Sequence, residues 1–322
     1  MKDLSIVIPR YSETPKELLP LLSSIYNQVG VDFDKIEVIL VNDNPKSIIY
    51  DSDFMYPVKI IAHDENFGSG VARQTGIDHC TGQYLMFCDA DDILHSVAVL
   101  GAFLQEINQP TSVDILTSPW LEELYSEDTG YRYLQHEDEA TWMHGKVFRA
   151  DFLRSNNIRF HDDLRVHEDS YFLGICFALT QNIRKLPVVT YVWKWREESI
   201  TRQNDGAYTY NSFGVYVTAM AACFSALVRR GKTEVLPAKT LQFLLYCYFT
   251  LQSDAWADRP DDCAAVEGVL AVEVAPLLHH VGTLSKQELA AAQYAERGRV
   301  FANQIERELF ANWAARVFAT KK

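Results

Sequence analysis

The 322-residue chain sets 30 Lys+Arg against 43 Asp+Glu, a formal net charge of −13, with 48% hydrophobic and 23% charged residues. This is a globular composition, which excludes a disordered or collagen-like chain. The acid excess argues against sequence-independent binding to nucleic acid, which needs Lys and Arg to displace phosphate counterions.

Length sets a soft prior of about two domains at ~150 residues each. The cysteines, Cys80, Cys88, Cys176, Cys223, Cys247 and Cys263, form no CxxC pair and no zinc-finger spacing. They read as small buried apolar residues with reduced thiols. The first apolar run stops at Pro9-Arg10, too soon for a signal-peptide core. No window reaches the ~20 uncharged apolar residues that a bilayer span requires; the best stretch is 214–228. A soluble, cytoplasmic protein without a transmembrane segment is expected.

In chain order, an apolar strand over 4–9 is followed by helical spacing of Leu18, Leu19, Leu22, Ile25 and Tyr26 over 16–28. Strands are expected at 37–41 and 58–62, the first closed by Asn42-Asp43-Asn44-Pro45. A helix over 69–79, capped by Gly82, leads to a strand over 83–88 that runs into Asp89-Ala90-Asp91-Asp92. A helix over 96–107 and a strand over 113–117 complete the alternation. Strands alternating with helices imply a mostly parallel α/β sheet covered on both faces. The region 120–202 mixes helix and strand. Beyond it lie four expected helices at 208–229, 237–257, 261–280 and 285–318, the last opened by a capping box at Ser285-Lys286-Gln287-Glu288. The domains are therefore 1–205, α/β, and 206–322, helical.

Three constellations can carry chemistry. Asp89 and Asp91 follow a buried strand, and ligands bind outside the carboxyl ends of parallel strands. Side chains at i and i+2 of an extended segment point the same way, and paired carboxylates suit Mg²⁺ or Mn²⁺ bridging to phosphate. The bland alternative is a solvated acidic turn, with Asp92 as a helix cap. Asp43 ends another strand on the same rim, where a carboxylate accepts from a base N–H or merely closes an Asx-turn. In 66–74, NFGSGVARQ, two glycines precede a helix and Arg73 lies one turn in, either a phosphate or base contact or simply part of a helix entry.

Together these segments resemble family 2 glycosyltransferases of the GT-A fold. The resemblance rests on 4–12 as the opening strand, 37–43 as the second, 66–74 as the N-x-G…A-R-N segment and 84–92 as the DxD strand, all in the family's order. It covers roughly 1–205. It implies a GT-A, Rossmann-like sheet, with Pro9, Tyr11, Asp43, Asn66, Arg73, Asp89 and Ala90 holding the nucleotide and Asp91, with Asp89, holding Mn²⁺ or Mg²⁺. It puts the catalytic base at Asp169 of the Glu168-Asp169 pair, and His144, Glu168, Arg196 and Ser199 at the diphosphate and sugar. Two departures stand out: Asn42 replaces the first of the usual paired Asp, and no His occurs at 193–198 as an extra metal ligand. Metal binding is then expected to rest on Asp91, diphosphate oxygens and water.

The resemblance implies transfer of a sugar from a nucleotide-sugar donor, UDP-linked, to a hydroxyl of a glycan, cell-surface polymer or protein-linked acceptor, with inversion. A haloacid-dehalogenase-type phosphatase also follows a strand with DxD, but near the chain start and with a downstream Lys that is not apparent here. A non-catalytic nucleotide-sugar-binding protein would not need Asp169. His279-His280 read as a helix end, and Tyr246, Tyr248 and Phe249 as helix packing. The helical tail is expected to pack on the catalytic domain and to offer a homodimer face or an acceptor groove. Peripheral attachment to the inner membrane face has no basic amphipathic helix to support it.

Overall fold

A computed structural model describes residues 2–137, 141–197, 199, 207–280 and 304–319. The chain divides into two compact units, Met1–Arg202 and Gln203–Lys322.

The first unit is built on a seven-stranded sheet. Its strands are β1 (Lys2–Arg10), β2 (Ile36–Asn42), β3 (Lys59–Ala62), β4 (Gly82–Phe87), β6 (Ile115–Thr117), β9 (Lys146–Arg149) and β10 (Ile183–Lys185), in spatial order β10-β6-β9-β4-β1-β2-β3. All pairings are parallel except those of β9, which runs antiparallel to both β4 and β6. A second sheet, in order β5-β11-β7-β8, consists of β5 (Ile93–Leu94), β7 (Trp120–Ser126), β8 (Gly130–His136) and β11 (Tyr191–Trp193). The expected α/β class is therefore observed, with this smaller sheet occupying the mixed region.

Alternation along β1 explains the layering. Leu4, Ile6 and Ile8 join the core formed with Leu18, Leu21, Leu22 and Ile25 of helix α1 (Pro15–Tyr26) and with Leu100 and Phe103 of α3 (Val99–Ile107). Thr14 and Glu17 close a reciprocal capping box that starts α1. Val7 points to the opposite face, onto α2 (Ser69–His79), where a Cβ at Gly76 would lie 2.1 Å from Val7 Cγ1. Gly76 is therefore a requirement of helix–sheet packing. On that face Phe87, Phe148, Phe160 and Phe172 form a ring cluster with α5 (Glu168–Leu179), Phe160 and Phe172 stacking at 4.2 Å. Helix α4 (Ala150–Ser155) follows β9. Gly82 does not cap α2, as the spacing predicted. It opens β4, where a Cβ would meet Ser5 Oγ at 2.6 Å.

The second unit is helical, with α6 (Ala207–Arg229), α7 (Leu236–Leu251), α8 (Pro260–Val269) and α9 (Gln304–Val317). The third expected helix changes character after α8, passing through a π turn at Leu270–Val274 and a 3-10 turn at Ala275–His280. Phe224 meets Phe243 edge-on, Phe213 packs on Trp256, and Tyr248 packs on Phe310 and Trp313. The expected capping box at 285–288 lies outside the described residues. One correction concerns length: Tyr210–Arg229, with mean hydropathy 1.5, is long and apolar enough to cross a membrane. The apolar run extends through Tyr210 and Phe213, and half of the window is buried, as in a core helix.

Candidate active site

Strands β1, β2 and β4 are parallel neighbours, so the segments that follow them share one rim. Buried Arg10 stitches this rim together. Its Nε donates to Glu13 O at 2.7 Å, Nη1 to Asn42 Oδ1 at 2.6 Å and to Ser47 O at 2.7 Å, and Nη2 to Ser47 Oγ at 2.6 Å. The Asn42 amide accepts from Arg10 and donates through Nδ2 to Ser47 O at 3.0 Å. A carboxylate, which has no donor when ionised, could not do both. Asn42 in place of Asp thus serves the loop that follows β2.

Asp43 is buried, and its carboxylate anchors the loop before α2. It accepts from Phe67 N–H at 2.9 Å and Gly68 N–H at 2.6 Å, and it pairs with His63 Nδ1 at 2.7 Å. His63 Nε2 in turn meets Thr75 Oγ1 at 2.9 Å. Gly68 has φ +93°, a region open to glycine that lets successive amides turn toward one carboxylate. Pro9 is half-buried, Tyr11 is 50% exposed, and Asn66 is exposed with its carbonyl accepting from Arg165 Nη1 at 2.9 Å.

Arg73 is the junction of the site. From α2 its buried guanidinium donates to Asp89 Oδ1 and Glu168 Oε1, each at 2.7 Å, and Glu168 also accepts from Ser69 Oγ at 2.6 Å. Arg73 Nε is buried with no hydrogen-bond partner. Burial opposes the Arg73 charge, but the facing carboxylates of Asp89 and Glu168 outweigh it and raise its pKa. Burial likewise opposes ionisation of Asp89, and Arg73 and His144 overcome this to hold its carboxyl below the usual range. Arg73 therefore ties the strand β4 acids to the first turn of α5.

That turn begins at His167, a non-glycine residue at φ 59° and ψ 19°. Residues held in the left-handed region cost of order 1–3 kcal/mol and cluster at functional sites. Asp169 is half-buried and accepts from Ser170 N–H at 2.7 Å. Burial first, then the neighbouring Glu168 carboxylate, push its pKa up to about 7. An acid with that pKa is split between its two forms at neutral pH, the condition for an efficient general base.

The DxD segment divides its roles. Asp91 Oδ2 accepts from Arg196 Nη1 at 3.0 Å, and Arg196 also lies 3.6 Å from Glu13 Oε1. Burial and Asp89 raise the Asp91 pKa, and Arg196 opposes them. Ala90 is buried. Ser199 N–H donates to Arg196 O at 3.3 Å, while Glu198, Ile200 and Thr201 lie outside the described residues. Asp92 does not cap a helix. It is fully buried and accepts from Tyr191 Oη at 2.6 Å and Lys194 N–H at 2.8 Å, while Tyr191 Oη accepts from Asp89 N–H at 2.9 Å. Burial and the neighbouring Asp91 and Asp89 push its pKa well up.

His144 lies beside these acids, stacked on Tyr191 at 4.7 Å and Trp193 at 5.7 Å. Burial pulls its pKa down to about 3, so the imidazole is neutral at pH 7. Among the described residues, Asp89, Asp92 and His144 offer ligand atoms within 4.8 Å of one another. A carboxylate, a second carboxyl group whose charge a bound cation would favour, and a neutral imidazole are a donor set that suits a divalent cation. The grouping differs from the expected Asp91 and Asp89: Asp91 faces Arg196, and a histidine reaches the acids from 144 although 193–198 has none.

Sequence reasoning missed Arg10, Asp92, Lys146 and Tyr191. Buried Lys146 donates from Nζ to the Trp142 and His144 carbonyls at 2.5 and 3.3 Å and holds the histidine loop in place. The signal available was a charged residue inside an apolar strand, Lys146-Val147-Phe148, since lysine is buried almost only when paired.

Known proteins resemble this chain in sequence and in fold. The family Glycosyl transferase family 2 matches residues 5–163. The minor teichoic acid biosynthesis protein GgaB of Bacillus subtilis is 26% identical over 66% of this chain, and EpsJ, an uncharacterized glycosyltransferase of the same organism, is 25% identical over 62%. The matches span 25% of GgaB and 62% of EpsJ, so the chain covers less than two thirds of either relative. Among solved structures, a fragment of S. aureus TarS superposes with a TM-score of 0.58 at 17% identity, over 94% of this chain and 93% of that one. The same fragment in complex with UDP-GlcNAc gives 0.56 at 20% identity, over the same shares. At these identities the likeness to TarS is one of fold. With the motif order, the sheet and the matched segment in agreement, residues 5–163 of this chain belong to the family 2 glycosyltransferases.

Proposed function

We propose that this chain is an inverting glycosyltransferase that moves a sugar from a UDP-linked donor to a hydroxyl of a cell-surface glycopolymer. The observation that carries the reading is the Arg73 bridge from Asp89 on the donor rim to Glu168, next to Asp169. In this reading it would tie the acids for the leaving group to the helix turn that carries the base for the acceptor. The name of GgaB supports a glycopolymer acceptor, and TarS solved with UDP-GlcNAc supports a UDP donor.

In this reading the β1 and β2 ends, with Pro9, Tyr11 and Asp43, hold the nucleoside, Asp43 by keeping the 66–68 loop in place. Arg196 and Ser199 bind the diphosphate. Asp89, Asp91, Asp92 and His144 would hold Mn²⁺ or Mg²⁺, which supplies positive charge to the departing diphosphate. Asp169 takes the proton from the acceptor hydroxyl as it attacks the anomeric carbon. One base with in-line attack inverts that centre, by analogy with inverting carboxylate pairs. The chemistry would take place in the cytoplasm, with the helical unit as dimer face or acceptor groove. Light scattering on the full chain tests the dimer, and a monomer at all concentrations refutes it.

The test is UDP release from a panel of UDP-sugars and GDP-sugars with Mn²⁺ or Mg²⁺, with the product anomer read by NMR. A UDP-sugar turned over with inversion is expected. Phosphate release without any sugar donor, lost in Asp89→Asn, would instead establish the phosphatase reading. Donor binding without turnover would establish the non-catalytic one.

A further inference from the structure

The β7–β8 hairpin and the segment after β11 bring three aromatic rings together. Tyr125 and Tyr131 face each other across the β7–β8 hairpin with centroids 5.0 Å apart, and they are 41% and 59% exposed. Trp195 closes the group at 4.9 Å from Tyr125 and 6.4 Å from Tyr131. Exposed apolar patches of this kind mark surfaces that another molecule covers.

Position, shape and charge define the occupant. Trp195 directly precedes Arg196, which holds Asp91. The Trp195 N–H donates at 3.2 Å to Glu123 Oε1, and the other oxygen of that buried carboxylate accepts from Tyr133 Oη at 2.7 Å. Glu123 thus pins the segment carrying the diphosphate arginine to the aromatic hairpin, so the platform continues the donor rim. The rings meet at 48° to 78°, tilted or edge-on to one another rather than stacked in a closed pile. Such rings offer an apolar face to C–H groups and a polar handle to hydroxyls, which is the chemistry of a pyranose. The hairpin and its turn also bear Glu122, Glu123, Glu127 and Asp128 against Arg132 and His136. That excess of acid disfavours a chain of phosphates.

We propose that Tyr125, Tyr131 and Trp195 form a subsite for neutral pyranose residues of the acceptor, outside the donor pocket. This rests on the glycosyltransferase reading, which it deepens. The test is tryptophan fluorescence of the full chain titrated with cellotetraose, maltotetraose and chitotetraose, and with poly(glycerol phosphate) lacking sugar. A neutral tetrasaccharide binds the wild type saturably at about millimolar Kd, and Tyr125→Ala/Tyr131→Ala weakens it about tenfold, which is about 1.4 kcal/mol. Tyr131→Phe, which keeps the ring, retains binding and so separates loss of the platform from damage to the hairpin. Three results would overturn the subsite: no saturable response to any neutral oligomer, an equal response in the double alanine variant, or preference for the phosphate polymer. UDP-sugar hydrolysis without acceptor keeps the two claims apart. Hydrolysis intact with no ring-dependent binding sinks the subsite alone. Absence of hydrolysis with every donor counts against the enzyme reading, while the titration still decides the platform.

Discussion

The two units bury different chemistry. The first hides Arg10, Asp43, Arg73, Asp92, Glu123, His144, Lys146 and Glu168 among its strands, whereas the buried polar side chains of the second, among the described residues, are Ser212 and Thr240. Taking a charge out of water costs several kcal/mol unless it is paired. A unit that retains so many such groups, all tied to one rim, is organised for a reaction. The described interior of the second, with Phe224, Leu245 and their neighbours, is held together by apolar packing.

Variants that break this contrast follow in order of size. Asp169→Asn is expected to cut sugar transfer about 10⁴-fold, the upper range for loss of a general base, while donor affinity by calorimetry stays within about twofold. Arg73→Met leaves Asp89 and Glu168 without their cation and should lower stability by about 3–5 kcal/mol in urea at pH 7. Because Asp89 has a depressed pKa when folded, its pairing stabilises above the unfolded carboxyl pKa and is lost as pH falls through the folded one. The Arg73→Met penalty should therefore shrink in acid. Leu245→Ala in the second unit should cost about 2–5 kcal/mol as a core cavity, read by calorimetry, yet leave donor affinity unchanged below the melting transition. Arg196→Ala removes the partner of Asp91 and should lower turnover about 10- to 100-fold, measured by UDP release with the protein fully folded.

Much of this site was legible from spacing. The strand ends at 9–11, 42–43 and 89–92 lie on one rim because parallel β1, β2 and β4 bring them there, and an apolar run followed by turn residues announces such an end. Pairing across long separations was not legible. Nothing local says that Arg73 reaches Glu168, that Tyr191 reaches Asp92, or that Glu123 reaches Trp195. His144 was named as a sugar or diphosphate contact, but its approach to Asp89 and Asp92 depends on β9 entering the sheet antiparallel. The hairpin at 120–136 was missed as a hairpin because its strands mix charge with aromatics and show no clean alternation.

The raised Asp169 pKa gives the most direct test. With its folded pKa above the unfolded value, the protonated acid favours the folded state, a contribution present below the unfolded carboxyl pKa and lost as pH rises through about 7. The same titration creates the base, so activity should grow where that stability is lost. The measurement is kcat against pH at saturating donor and acceptor. A tenfold rise per pH unit up to about 7, then a plateau, with the limb absent in Asp169→Asn, is the predicted result. A profile that is flat across that range, or a rising limb that survives in Asp169→Asn, would contradict it.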